Sequence, residues 1–200
     1  HWGGVNGLGC PRRAEGRAYL IDGDSGRYLG TLSTGYGFAR VVLSRDGKTI
    51  YSQESYFSSG TRGKRTDGVT LYDPATLKPL SEIAIPPKRS SNLPMMANSV
   101  LTDDDRFLLI YNFNPAQSVT VVDTSTRKFI REVEPPCCAL VYPSGPRSFF
   151  SVCGDGSLSL VDLDNAGVAH QKRTQPLFNM SGDPVTEKAV RINDTWYFVS

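Results

Sequence analysis

"GVTLYDPATLKPLSEIAI" (68–85) and "SVTVVDTSTRKFIREVE" (118–134) decide the fold. Each alternates apolar and other residues up to an aspartate, breaks in a polar turn, and resumes as a second β-rich run. "RAYLIDGDSGRYLGTL" (17–32) and "RSFFSVCGDGSLSLVDL" (147–163) follow the same plan. β-branched and aromatic residues favour strands. An Asp side chain at the bend accepts backbone N–H groups two residues on, so the aspartates have a structural task. They are Asp22, Asp73, Asp123 and Asp162, by subtraction 51, 50 and 39 positions apart.

A second kind of run lies between these: "LSRDGKTIY" (43–51), "LTDDDRFLLIY" (101–111) and, more loosely, "VYPSGPRSFFSV" (141–152). Here an Asp- or Gly-containing turn leads into an aromatic-rich strand. The two kinds alternate. A period of about 40–50 residues with about four strands per unit is the signature of an all-β, WD40-like β-propeller of four-stranded blades. A strand pair with one apolar face is marginal alone, and stacking such sheets buries those faces. At about 45 residues per blade the chain holds about four blades. "DTWYFVS" (194–200) stops within a strand and "HWGGVNGLG" (1–9) begins abruptly. The expectation is an irregular segment over 1–16 and a partial propeller over 17–200, cut from a longer chain.

Composition fits this class. The 200 residues are 39% hydrophobic and 21% charged, and 19 Gly and 13 Pro supply the turns. A net charge of +2 makes no case for nucleic acid. No run approaches the roughly 18 apolar residues of a membrane helix. The chain starts at His1 rather than Met, which is compatible with a leader removed or left out.

Few residues suit catalysis. The histidines are His1 and His170, too few for a His-based triad or zinc site, and His170 in "GVAHQKR" reads as an exposed strand residue. "GGVNGLG" (3–9) is Gly-rich, but no strand precedes it and no helix follows, so it is a weak phosphate loop. "TDDDR" (102–106) has three carboxylates that could take Ca²⁺, yet it falls where the repeat requires a hairpin turn. "RGKR" (62–65), with Lys88 and Arg89, is a basic cluster. It is either a solvated loop or, through Arg62, Lys64 and Arg65, a docking surface for an acidic partner.

Cys137, Cys138 and Cys153 flank a loop containing Pro143, Gly145 and Pro146. Strands joined by such a loop run antiparallel, and facing positions come within disulfide reach. A metal site needs further ligands nearby, and a catalytic thiol wants a histidine. The expected staple is Cys138–Cys153 in preference to Cys137–Cys153, which implies an oxidising compartment. Cys10 and Cys137 remain, free or paired with each other.

Four stretches together, "AYLIDGDSGRYLG", "TRGKRTDGVTLYDPATLKPLSEIAIPPKR", "NPAQSVTVVD" and "CALVYPSGPRSFFSVCGDGSL", resemble the heavy subunit of the quinoprotein amine dehydrogenases, the methylamine and aromatic amine dehydrogenases. The similarity runs from about residue 17 to 200, roughly the first half of a propeller of about seven blades. It places the family's cysteine on Cys138. "RGKR" and "PPKR" lean toward the aromatic amine branch.

The resemblance implies a periplasmic heterotetramer of two heavy and two light subunits. It implies oxidative deamination of a primary amine to aldehyde and ammonia, with electrons passing to a cupredoxin such as amicyanin or azurin. The cofactor, tryptophan tryptophylquinone, and the catalytic base would belong to the light subunit. This chain would then have no catalytic residue and bind no cofactor or metal. It would serve as a platform that also lines the amine channel. The family's channel Phe matches Phe38 in "STGYGFARVV", with Tyr36 and Phe57 as neighbouring candidates. Packing within a blade is the competing role for all three, since aromatics are mostly core. Two other classes compete with the whole reading: a stand-alone propeller that binds protein, and a propeller hydrolase with a metal in its channel.

Overall fold

The computed structural model describes the backbone of residues 2–7 and all of residues 15–90 and 95–200. Cys10 lies outside the described residues. The architecture is all-β, a partial β-propeller in two compact units.

The first unit carries a three-stranded and a four-stranded antiparallel meander. β1 (Trp2–Gly7), β2 (Arg17–Asp22) and β3 (Tyr28–Ser33) form the first sheet. β1 falls inside the segment expected to be irregular: it pairs with β2 from Trp2↔Asp22 to Gly7↔Arg17, because an extended Gly-rich run can complete a ladder. The second sheet is β4 (Val41–Leu43), β5 (Ile50–Phe57), β6 (Arg65–Tyr72) and β7 (Pro79–Ile85). Ala18, Leu20, Leu32 and Ile50 form one apolar cluster of this unit, with Val41, Tyr72 and Leu77 against it.

The second unit comprises residues 88–90 and 95–200. β8 (Ser99–Leu101), β9 (Phe107–Asn112), β10 (Ser118–Asp123) and β11 (Lys128–Val133) form one meander. β12 (Cys138–Gly145), β13 (Ser148–Cys153), β14 (Leu158–Leu163) and β15 (Ala169–Arg173) form the next. β16 (Ala189–Ile192) and β17 (Thr195–Phe198) make a hairpin. One apolar cluster runs through both four-stranded sheets, with Phe107, Leu109, Val119, Val121, Val141, Phe149 and Val161 at its centre. Trp196 and Phe198 close it by ring contacts with Tyr142 and Phe150.

The repeated aspartates cap turns. Asp22 accepts from the Asp24 amide at 3.0 Å, Asp73 from Ala75 and Thr76 at 2.8 Å, and Asp123 from Ser125 and Thr126 at 2.9 Å. The carboxyls lie below the usual carboxylate range: at Asp22 through the Ser25 hydroxyl and then the amides, at Asp73 through the Thr76 amide and hydroxyl, and at Asp123, against burial, through the Thr126 amide, the Ser125 hydroxyl and Arg106. The fourth repeat differs from the sequence expectation. Asp162 lies within β14 and accepts from Ser148 Oγ at 2.6 Å, whereas Asp164 caps the turn through the Ala166 and Val168 amides. β14 runs to Leu163, so the capping role moves two residues on.

The acidic run at 103–105 knits loops together. Arg191 donates two bonds to Asp103, at 2.6 and 2.8 Å, and Arg147 Nε donates to Asp104 at 2.9 Å. Asp103 and Asp104 are thus engaged by guanidinium groups, in the hairpin turn that the repeat requires.

Candidate functional site

The end of the β5–β6 hairpin, with the 34–40 loop laid on it, gathers the polar and aromatic groups of the first unit. The loop approaches closely because Gly35 has no side chain. Its φ is +68°, and a Cβ there would meet the Ser55 carbonyl oxygen at 2.6 Å. The next amide, Tyr36 N–H, donates to that oxygen at 2.7 Å. Tyr36 then meets Phe57 edge-to-face, ring centroids 4.9 Å apart, a favoured geometry for aromatic pairs. Both rings are partly exposed, as is Phe38 two residues along. The structure therefore brings Tyr36 and Phe57 together and puts Phe38 on the same loop.

Phe57 pairs in register with Arg65. Arg65 grips Asp67 with two bonds, Nε–Oδ1 2.8 Å and Nη2–Oδ2 2.7 Å. Asp67 is 1% exposed and also accepts from Ser55 Oγ at 2.7 Å. The bidentate pair and the serine satisfy a buried carboxylate that would otherwise be costly. The expected basic cluster thereby divides. Arg62 and Lys64 are exposed on the 58–64 loop, where the Ser58 amide donates to the Lys64 carbonyl and the Ser59 amide to that of Arg62. Arg65 is half-buried at the base of that loop and paired with Asp67. Lys88 is joined to Glu132 at 2.7 Å and Arg89 is buried, both within the second unit.

On the other face of β5, Glu54 is 2% exposed and accepts three hydroxyls: Tyr56 at 2.6 Å, Thr70 at 2.7 Å and Tyr72 at 3.2 Å. Burial and the Glu54 carboxylate push the Tyr72 phenol up to about 12. Burial and the hydrogen bond to Glu54 raise Tyr56 as well. Sequence reasoning singled out neither Glu54 nor Asp67. The available signal was "YSQESYF" (51–57), a polar run inside a strand whose counterparts "FLLIYN" and "SFFSVC" are largely apolar. A buried polar strand requires partners.

In the second unit Cys138 and Cys153 are register partners and form a disulfide. Cys137 is a free, exposed thiol. Among the described residues no group of three His, Cys, Asp or Glu is placed to hold a metal ion. The site as built can stack against and orient a partly apolar ligand, and can present two cations beside it. Its buried carboxylates are engaged by hydroxyl and guanidinium donors.

Comparison with known proteins gives a consistent result. Residues 12–190 match the family described as methylamine dehydrogenase heavy chain (MADH). The chain is similar to the methylamine dehydrogenase heavy chain of Methylorubrum extorquens, 37% identical over 78% of this chain and 38% of that relative. It is also similar to the heavy chain of Methylophilus methylotrophus, 32% identical over 90% of this chain and 42% of that relative. It thus spans about two fifths of the length of these relatives. Among solved structures it is similar to the Dos1 propeller, with TM-score 0.56, 12% identity, and coverage of 80% of this chain and 39% of that one, which speaks for the fold alone.

Proposed function

This chain belongs to the methylamine dehydrogenase heavy chain family, and from that premise we propose that it is part of the non-catalytic heavy subunit of a periplasmic quinoprotein amine dehydrogenase. In this reading the assembly, two heavy and two light subunits, oxidises a primary amine to aldehyde and ammonia and passes electrons to a cupredoxin. The tryptophan tryptophylquinone of the light subunit supplies the oxidising chemistry. Trp196 does not fit that group: it packs against Tyr142 and Phe150, and its indole N–H donates to the Pro143 carbonyl at 2.9 Å.

The observation that carries the proposal is the Tyr36–Phe57 pair, tied down through the Ser55 carbonyl. Two partly exposed rings at right angles offer an apolar wall that excludes water and orients the carbon chain of an amine. Phe38 on the same loop extends that wall. Arg65, held by Asp67, fixes the base of the 58–64 loop. Arg62 and Lys64 then steer an acidic surface of the light subunit or the electron acceptor toward it. The disulfide suits an oxidising compartment.

The test is reconstitution. The full-length heavy chain alone should show no amine-dependent dye reduction, and adding quinone-bearing light subunit should restore it. Reversing charge with R62E and K64E should slow association severalfold at low salt, with the difference shrinking as salt rises. Turnover by the heavy chain without its partner would refute the assignment.

A further inference from the structure

Three features of the second unit converge on one place. Cys137 is a free, exposed thiol next in the chain to Cys138, half of the Cys138–Cys153 disulfide. Its φ is +57°, a left-handed conformation unusual for a residue with a side chain. Its carbonyl accepts the Gly154 amide at 3.0 Å, the rung just beyond Cys153. Cys137 and Cys153 line the same cavity of about 260 Å³, with Leu140, Tyr142 and Met180 among its walls. Cys137 also borders a second hollow of about 550 Å³ beside Phe113 and Pro136.

Within its sheet β12 pairs with β13 alone, while Leu140, Val141 and Tyr142 pack into the apolar cluster of the unit. Its register is Cys138↔Cys153 and Ala139↔Val152, then breaks before Tyr142↔Phe150, and Leu140 at the break also has a positive φ of 64°. Such an irregularity accommodates an unpaired residue. Two rungs can shift there while the ladder from Tyr142 onward stays in place.

We propose that Cys137, Cys138 and Cys153 form a thiol–disulfide exchange site. The Cys137 thiolate attacks Cys153 Sγ, a Cys137–Cys153 bond forms, the Cys138–Cys153 bond breaks, and Cys138 leaves as a thiolate that takes up the proton Cys137 lost. One disulfide and one thiol stand on each side, so no outside oxidant or reductant is needed. The exchange slides the start of β12 by one residue and turns alternate side chains to the opposite face. The two-cysteine bend thus has two covalent states, and only one of them leaves Cys137 open to solvent.

Disulfide mapping in the full-length chain, with Cys10→Ala removing the fourth cysteine of this segment, tests the proposal. In C138S, Cys137 and Cys153 should be recovered as one linked peptide, with alkylation of either at least tenfold below that of Cys137 in the parent. Free alkylation of both would overturn the idea. The folded parent keeps the test valid if C138S does not fold. A pulse of N-ethylmaleimide followed by fragmentation between Cys137 and Cys138 should find label on Cys138, and C137A should abolish it. Label on Cys138 no higher in the parent than in C137A refutes the exchange.

Discussion

The β5–β6 hairpin of the first unit and the β9–β10 hairpin of the second occupy the same place in their meanders, yet they differ in what they bury. β9 buries Phe107, Leu108, Leu109, Ile110 and Tyr111 with Asn112 as its polar residue, and β10 alternates Val119, Val121 and Val122 with Ser118, Thr120 and Asp123. β5 buries a run of Ser52, Gln53, Glu54 and Ser55 after Ile50 and Tyr51, and β6 adds Asp67 and Thr70 to Val69 and Leu71. The first pattern draws stability from apolar area removed from water. The second replaces part of that area with hydrogen bonds whose net contribution is smaller. It leaves Ser52 Oγ and Gln53 Nε2 without a partner among the described residues. Where a repeat gives up apolar burial for a positioned polar network, a site is the expected return. The hairpin that does so here also carries Tyr36, Phe57 and the Arg62–Lys64 loop.

The sharpest way to break this contrast is to truncate the apolar hairpin. Phe107 is fully buried at the centre of its cluster. F107A should destabilise the second unit by about 3–5 kcal/mol, read from the urea midpoint, and leave the amine selectivity of the assembled enzyme unchanged. A loss below 1 kcal/mol would mean that the core is not where the geometry puts it. The polar hairpin should respond less in stability and more in function. D67A strips Arg65 and Ser55 of their partner, at a cost of about 2–3 kcal/mol, and frees the base of the 58–64 loop. It should therefore also slow light-subunit association, which F107A should not.

The smallest effect concerns the turn caps. Hydrogen bonds from Ser157 Oγ and its amide, then Arg173, lower the Asp155 carboxyl to about 2. Its folded value is depressed, so its contribution is present above about pH 4. That contribution fades as pH falls toward 2. The stability difference between the unmodified chain and D155N should be full at pH 5 and largely lost by pH 2. A difference that grew on acidification would show the cap to be misassigned.

Much of the fold was legible because period-two patterning and turn chemistry are local. Asp22, Asp73 and Asp123 cap the turns that their positions suggested. The fourth copy was misplaced by two residues because "LVDLDN" offers two aspartates, and only pairing along β14 decides which lies beyond the strand. The site was less legible. Arg65 looked like its neighbours Arg62 and Lys64 until β6 placed it beside Asp67, since a charge's partner two residues away depends on strand conformation. Glu54 gave only the hint of polarity inside a strand; its three hydroxyl partners come from two different strands. The pairing of Cys138, and not Cys137, with Cys153 follows from ladder register and the left-handed turn at Cys137.

The most direct measurement of the central claim is the ratio of kcat/KM for an aromatic and a short aliphatic amine, in the full-length heterotetramer carrying Y36A and F57A. If these rings wall the amine's path, the ratio should shift by about tenfold (1.4 kcal/mol of differential binding), with quinone content and subunit stoichiometry unchanged. An unchanged ratio in a fully assembled enzyme would contradict the account.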